Sequence, residues 1–272
     1  MLRAVCGLAL SCALAVGCAT KPENEAAGTP VPYQLIAHDV DRSTLSTVER
    51  RGFDLYVRDI AASRATNAAL ATLAGRGRAR NDVAGWIVVP YEQGFLVRFI
   101  TQGEQSVIDV SVDPFSALAP YVVENEPGKS LSARETAMWR ARQLAIQEPI
   151  ARCSDHYNTV VLPESDRDDA DWLVYLIAVA MDSTHFAVGG HHRIRVDSEG
   201  RRILERFALS KSCISPEYDP GSAGFVMTHL VSSEPVETQV YVSLLHGITL
   251  YVGVVEPRRS WKVEEGRVQP LD

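Results

Sequence analysis

Local signatures of the commoner enzyme classes are missing from this 272-residue chain. It holds no G-x-S-x-G elbow, no H-E-x-x-H, no Walker loop and no G-x-G-x-x-G, so serine-hydrolase, zinc-protease, P-loop and dinucleotide chemistry gain no support from motifs. An excess of positive charge is missing too. The net charge is -7 and the isoelectric point about 5.5, which argues against nonspecific affinity for nucleic acid or anionic lipid. No C-x-x-C spacing occurs among the five cysteines, so a metal or redox thiol pair has no motif. No cofactor and no metal site are implied. Long apolar runs are scarce: the one from Ala4 to Val16 is shorter than the roughly 20 residues that cross a bilayer, and no second one follows.

What is present begins with that run. Arg3 precedes it, as in a signal-peptide h-region, and Ala15-Val16-Gly17-Cys18 closes it with small residues leading into a cysteine. This order resembles the lipobox of bacterial lipoproteins, with Ala9-Leu10-Ser11-Cys12 as a poorer second match. The resemblance implies removal of residues 1–17 as a signal peptide and acylation of Cys18, leaving a membrane anchor at the new N-terminus. Ala19 and Thr20, with no aspartate there, imply the outer membrane in that family. The alternative is an ordinary signal peptide and a soluble periplasmic product. Residues 18–31 are polar and turn-rich, with too little apolar surface to fold, and read as a flexible tether.

Once Cys6 and Cys12 leave with the leader and Cys18 carries lipid, Cys153 and Cys213 remain. An even remainder in an oxidising compartment predicts a disulfide between them.

The rest of the chain reads as two similar sentences. Residues 32–127 start a helix at the capping box Ser46-x-x-Glu49, carry Phe53, Val57, Ile60 and Ala61 at helical spacing, and end it at Gly75. A three-strand meander follows over Trp86–Tyr91, Phe95–Thr101 and Ser106–Val112, and the proline-rich stretch Asp113–Leu131 reads as the boundary. Residues 128–272 repeat the opening with Ser132-x-x-Glu135 and a helix that Pro149 closes. Strands are then expected over Asn158–Leu162, Trp172–Met181, Phe186–Val196, Arg201–Leu209, Phe225–Val231, Val236–Leu244, Ile248–Val254 and Trp261–Val268. The expected fold is α+β: antiparallel β-sheets each packed by a helix, in two modules, the second with the larger sheet. A helix, strands and then His192-x-Ile194-x-Val196-Asp197-x-x-Gly200 are similar to the helix-then-meander units of PepSY-type envelope domains. The globular part as a whole resembles lipoproteins of Gram-negative envelopes. Neither resemblance implies an activity.

Chemistry is sparse. Seven histidines are scattered without ligand spacing. The acidic loop Glu164–Asp171 lacks the glycine and ligand positions of an EF-hand and reads as solvated. One hairpin stands out. If Asp197–Gly200 forms its turn, Val196 faces Arg201, Ile194 faces Ile203 and His192 faces Glu205 as a half-buried pair. His191, Arg193, Arg195, Arg202 and Arg206 then gather on the other face, a candidate surface for an anionic or protein partner. Substitutions on so exposed a surface should leave folding intact.

Three functional classes follow. The first is a noncatalytic envelope lipoprotein that binds a protein or an anionic envelope component, with no nucleic-acid partner. The second is a periplasmic immunity or inhibitor lipoprotein. The third is a hydrolase with dispersed catalytic residues.

Overall fold

The computed structural model describes residues 46–77, 81–180, 182, 184–219, 221–256 and 258–271. The lipobox, Cys18 and the tether lie outside them.

Helix α1 (Thr47–Gly75) opens as a reciprocal capping box: Ser46 Oγ accepts the Glu49 N–H at 3.3 Å, and Glu49 accepts the Ser46 N–H at 2.7 Å. The other Glu49 oxygen accepts the Val268 N–H at 2.8 Å, which ties the start of the helix to the C-terminal strands. A first sheet follows with strands in sequential order: β1 (Val83–Tyr91), β2 (Gly94–Thr101), β3 (Gln105–Val112) and β4 (Tyr121–Ser130). Helix α2 (Ala133–Ile146), with its own capping box from Ser132 to Glu135, leads into a second antiparallel sheet. This comprises β5 (Tyr157–Pro163), β6 (Trp172–Ala178), β7 (His192–Val196) and β8 (Ile203–Ala208). The third sheet has the order β12-β11-β10-β9, built from β9 (Phe225–His229), β10 (Leu250–Val254), β11 (Arg259–Glu264) and β12 (Arg267–Leu271). Its β9 and β10 run parallel, joined through helix α3 (Glu237–His246). The fold is α+β, with helices packed on antiparallel-dominated sheets.

Strand β6 is buried at every residue, because helices cover both faces of its sheet. On one face Leu173 and Tyr175 pack with Phe53, Leu55 and Tyr56 of α1 and with Val240 and Leu244 of α3. On the other, Trp172 and Val174 pack with Ala137, Met138 and Ala141 of α2. The C-terminal half of α1 turns its alanine face, Ala61, Ala65 and Ala69, to Val97, Phe99 and Val110 of the first sheet. Helices α1 and α3 cross closely at Gly52, where an added Cβ would sit 2.4 Å from Val240 Cβ.

Several expectations are corrected. Val236–Leu244 is not a strand but α3, buried from Glu237 to Leu244. Burial on all sides removes the amphipathic signal of a helix and leaves a β-branched run that reads as strand. Gly247 ends α3 in the left-handed conformation at φ 62°, the usual C-terminal stop. The supposed boundary Asp113–Leu131 contains β4. Its Glu126-Pro127 falls in a bulge between the pairs Ser106↔Lys129 and Ile108↔Glu124, where a residue without an N–H is tolerated on an edge strand. Trp261–Val268 is a hairpin, turning at Glu265-Gly266 with φ 49° and 78°, as two-residue turns between twisted strands require. Phe186–His191 precedes β7 outside any named strand, its Phe186 and Val188 N–H groups bonding to the Pro216 and Ile214 carbonyls.

Candidate functional site

The β7–β8 hairpin takes a different register from the expected one. Asp197 organises a longer loop, its carboxylate accepting the Arg201 and Arg202 N–H groups at 2.7 and 3.2 Å. Val196 therefore pairs with Ile203 instead of Arg201. An irregularity between Ile203 and Glu205 then puts Glu205 opposite Arg195 and Arg206 opposite Ile194. Such a slip exchanges faces, so Arg206 leaves the side occupied by Arg193 and Arg195.

Each of the four arginines meets a carboxylate. Arg193 donates to Glu237 at 2.5 Å, with its guanidinium 5.1 Å from the Phe207 ring centroid. Arg195 bridges Asp171 at 2.7 Å and Glu164 at 3.1 Å, which gives the acidic loop a structural partner. Arg206 pairs with Glu148, and Arg202 lies 3.9 Å from Asp197. Nor does His192 meet Glu205. Its Nε2 lies 3.1 Å from the Ala151 carbonyl, and burial lowers its pKa.

His191 occupies neither face of the expected hairpin surface. Its ring is 2% exposed, and its Nδ1 accepts the Ala178 N–H at 3.0 Å. That bond leaves the proton on Nε2, which lies toward the Ala187 carbonyl without meeting hydrogen-bond geometry and has no partner among the described residues. Here His191 forms part of the wall of a cleft of about 310 Å³ between α1, α3 and the end of β6. Ile177, Phe186, Val242 and Leu245 give the cleft its apolar lining. Asp59 and Tyr241 meet within it, the tyrosine hydroxyl donating to Asp59 Oδ2 at 2.8 Å. Desolvation raises the Asp59 pKa and the Tyr241 bond tempers the rise. At the rim, Asp182 accepts from His185 and Thr184, which lower its carboxyl to about 2. Among the described residues, no lysine, arginine, serine, threonine or cysteine lines the cleft.

Two histidines of the cleft are held neutral. Burial pushes His191 and His246 down to about 4; His246 is only half-buried, so solvent moderates its share. Because the folded value lies below the unfolded 6.5, folding excludes a proton that the unfolded chain takes up. Stability is then complete above pH ~6.5 and declines as the pH falls toward ~4, by about 3 kcal/mol for His191. Asp59, with its raised pKa, works in the opposite sense. Urea unfolding at pH 7.5 and pH 4 should reveal the loss, and His191→Asn should flatten it whatever its effect on absolute stability. An unchanged pH slope in the variant would mean that His191 is not the group titrating.

Sequence reasoning picked out His191 for the wrong surface and overlooked Asp59, Tyr241 and His246. Asp59 is one of three charged residues, with Asp54 and Arg58, between the apolar positions Phe53 and Ala61 of α1, and Tyr241 lay in the misread strand. The usable signal was His246-Gly247, a basic residue and a glycine closing a helix. No group of three or more His, Cys, Asp or Glu residues suited to a metal occurs among the described residues. Comparison with known protein families, curated proteins and solved structures gives no match.

Proposed function

We propose that this protein is a noncatalytic binding protein of the bacterial envelope, tethered through lipid on Cys18, and that it takes its ligand in the cleft between α1, α3 and β6. One observation carries the reading. The cleft joins an apolar lining to buried polar groups, the arrangement of a small-molecule site, whereas the arginines expected to capture anions are already occupied by Glu237, Asp171, Glu164 and Glu148. A hydrolase reading has less support. His191 and His246, at about 4, are poorly matched to general base catalysis near neutral pH.

A second reading, an inhibitor or immunity protein that engages another protein, draws on the β3–β4 loop. Arg64 donates to the carbonyls of Pro114, Ser116 and Leu118 at 3.1, 2.6 and 2.8 Å. It thereby holds out Leu118, 79% exposed, near the 71% exposed Tyr121, as pre-organised apolar anchors.

The two readings separate in one experiment. Fractions of a small-molecule envelope extract should raise the melting temperature of the purified protein, by roughly 2.7 kcal/mol of stabilisation at 100 times Kd. Ala180→Trp, which fills the cleft, should abolish the rise, whereas Leu118→Asp should not. A shift that survives Ala180→Trp would sink the cleft reading. The tether is read separately: labelled palmitate should enter the wild type and not Cys18→Ser.

A further inference from the structure

We propose that the ligand of this cleft is a small organic ammonium: an apolar, preferably aromatic body carrying a primary or secondary amine. The inference rests on the cleft reading and deepens it. Its first support is charge. The ionisable side chains of the lining are Asp59 and Asp182, the three histidines His185, His191 and His246, and the tyrosines Tyr218 and Tyr241. His185 is committed to Asp182 at 2.7 Å. Among the described residues, an anionic ligand would thus meet two carboxylates and no lysine or arginine. A cation would meet Asp59, which is half-buried in the cleft wall, where partial shielding from solvent makes a charge-assisted hydrogen bond stronger than in open water.

The second support is the aromatic wall. Phe186 stands edge-on to Tyr218, with ring centroids 6.3 Å apart and planes at 81°. Both line the cleft with Tyr241, and an ammonium near such rings is attracted to their π faces. Tyr241 also fixes the acid: with its hydroxyl donated to Oδ2, Asp59 Oδ1 is the oxygen on which an ammonium N–H can converge. Size agrees, since about 310 Å³ is the low end of the roughly 300–1,000 Å³ typical of ligand sites. The unpartnered Nε2–H of His191 in the same wall adds a donor for a ligand oxygen or a bridging water.

Three probes of one shape test the idea: 2-phenylethylamine, 2-phenylethanol and phenylacetate, each titrated calorimetrically into the full mature protein at pH 7.5. The amine should bind at least about tenfold more tightly than the alcohol, the worth of one charge-assisted hydrogen bond, and phenylacetate should bind more weakly than either. Asp59→Asn should remove the amine's advantage while leaving the affinity for the alcohol, which shows that the variant is folded. Equal affinity for amine and alcohol, or a preference for phenylacetate, would overturn the ammonium inference and leave the cleft reading intact, provided Ala180→Trp abolishes that binding. If no probe binds, the ammonium inference falls while the cleft reading is decided by the extract experiment; if binding survives Ala180→Trp unchanged, both fall together.

Discussion

Replacing Arg193 by glutamine is expected to destabilise the protein by about 3 kcal/mol, the low end of the cost of breaking a buried ion pair. Glu237 opens α3 with its side chain 4% exposed, and the Arg193 side chain is 19% exposed. The same Glu237 oxygen accepts the Tyr175 hydroxyl at 2.7 Å. Burial, then the adjacent Glu237 carboxylate, holds the Tyr175 pKa well above its ordinary value. Without the guanidinium, the carboxylate keeps one neutral donor in a setting that penalises charge. The helix N-terminus offsets part of that cost. Denaturant unfolding of Arg193→Gln, Glu237→Gln and the double variant checks this. The double variant should lose less than the sum of the singles. A loss within about 0.5 kcal/mol for Arg193→Gln would make the residue an ordinary surface arginine. Free to face solvent, it would again be a candidate for the anion-binding surface expected from sequence.

Reduction of the Cys153–Cys213 bridge is expected to remove about 4 kcal/mol, the chain-entropy value for a loop of this length. The two cysteines are bonded across a sequence separation of 60, with Cα atoms 5.3 Å apart. The effect should also reach the cleft. The Cys153 N–H donates to the Tyr157 hydroxyl at 2.8 Å, and that hydroxyl donates to the Gly190 carbonyl at 3.2 Å. Gly190, at φ 86°, lies against the bridge, where an added Cβ would fall 2.4 Å from Cys153 Cβ. The next residue is His191. Loss of the bridge should therefore speed amide exchange at Gly190 and His191 ahead of global unfolding. The double Cys→Ser variant, compared with wild type under oxidising and reducing conditions, separates the bridge from the side chains. Equal unfolding midpoints would show that the cross-link adds nothing.

The parts of the fold legible in the sequence were those with local signals. Two capping boxes marked α1 and α2, and the three runs read as a meander, Trp86–Tyr91, Phe95–Thr101 and Ser106–Val112, fall within β1, β2 and β3. The pairing of Cys153 with Cys213 followed from counting. What failed depended on tertiary context. Helix α3 lies between α1 and the third sheet, so its valines carry no face preference that a period can reveal. The hairpin register was set by the Asp197 carboxylate capping its own loop, a contact that composition does not announce. The cleft was least legible of all, since Asp59 on α1 meets Tyr241 on α3 across 182 positions.

That separation bears on synthesis. A chain made from its N-terminus completes α1 long before α3 exists: 162 residues separate Gly75 from Glu237 (237 − 75). At roughly 5–20 residues per second the interval is about 8–32 s. Throughout it, the surface of α1 around Gly52 that later receives Val240 has no native cover. A nascent chain in this state presents an apolar helix face to whatever is nearby, which favours chaperone capture and also keeps the protein from closing before α3 emerges. Chains made without the leader and ending before residue 237 should remain protease-sensitive in α1, and chains that include α3 should not.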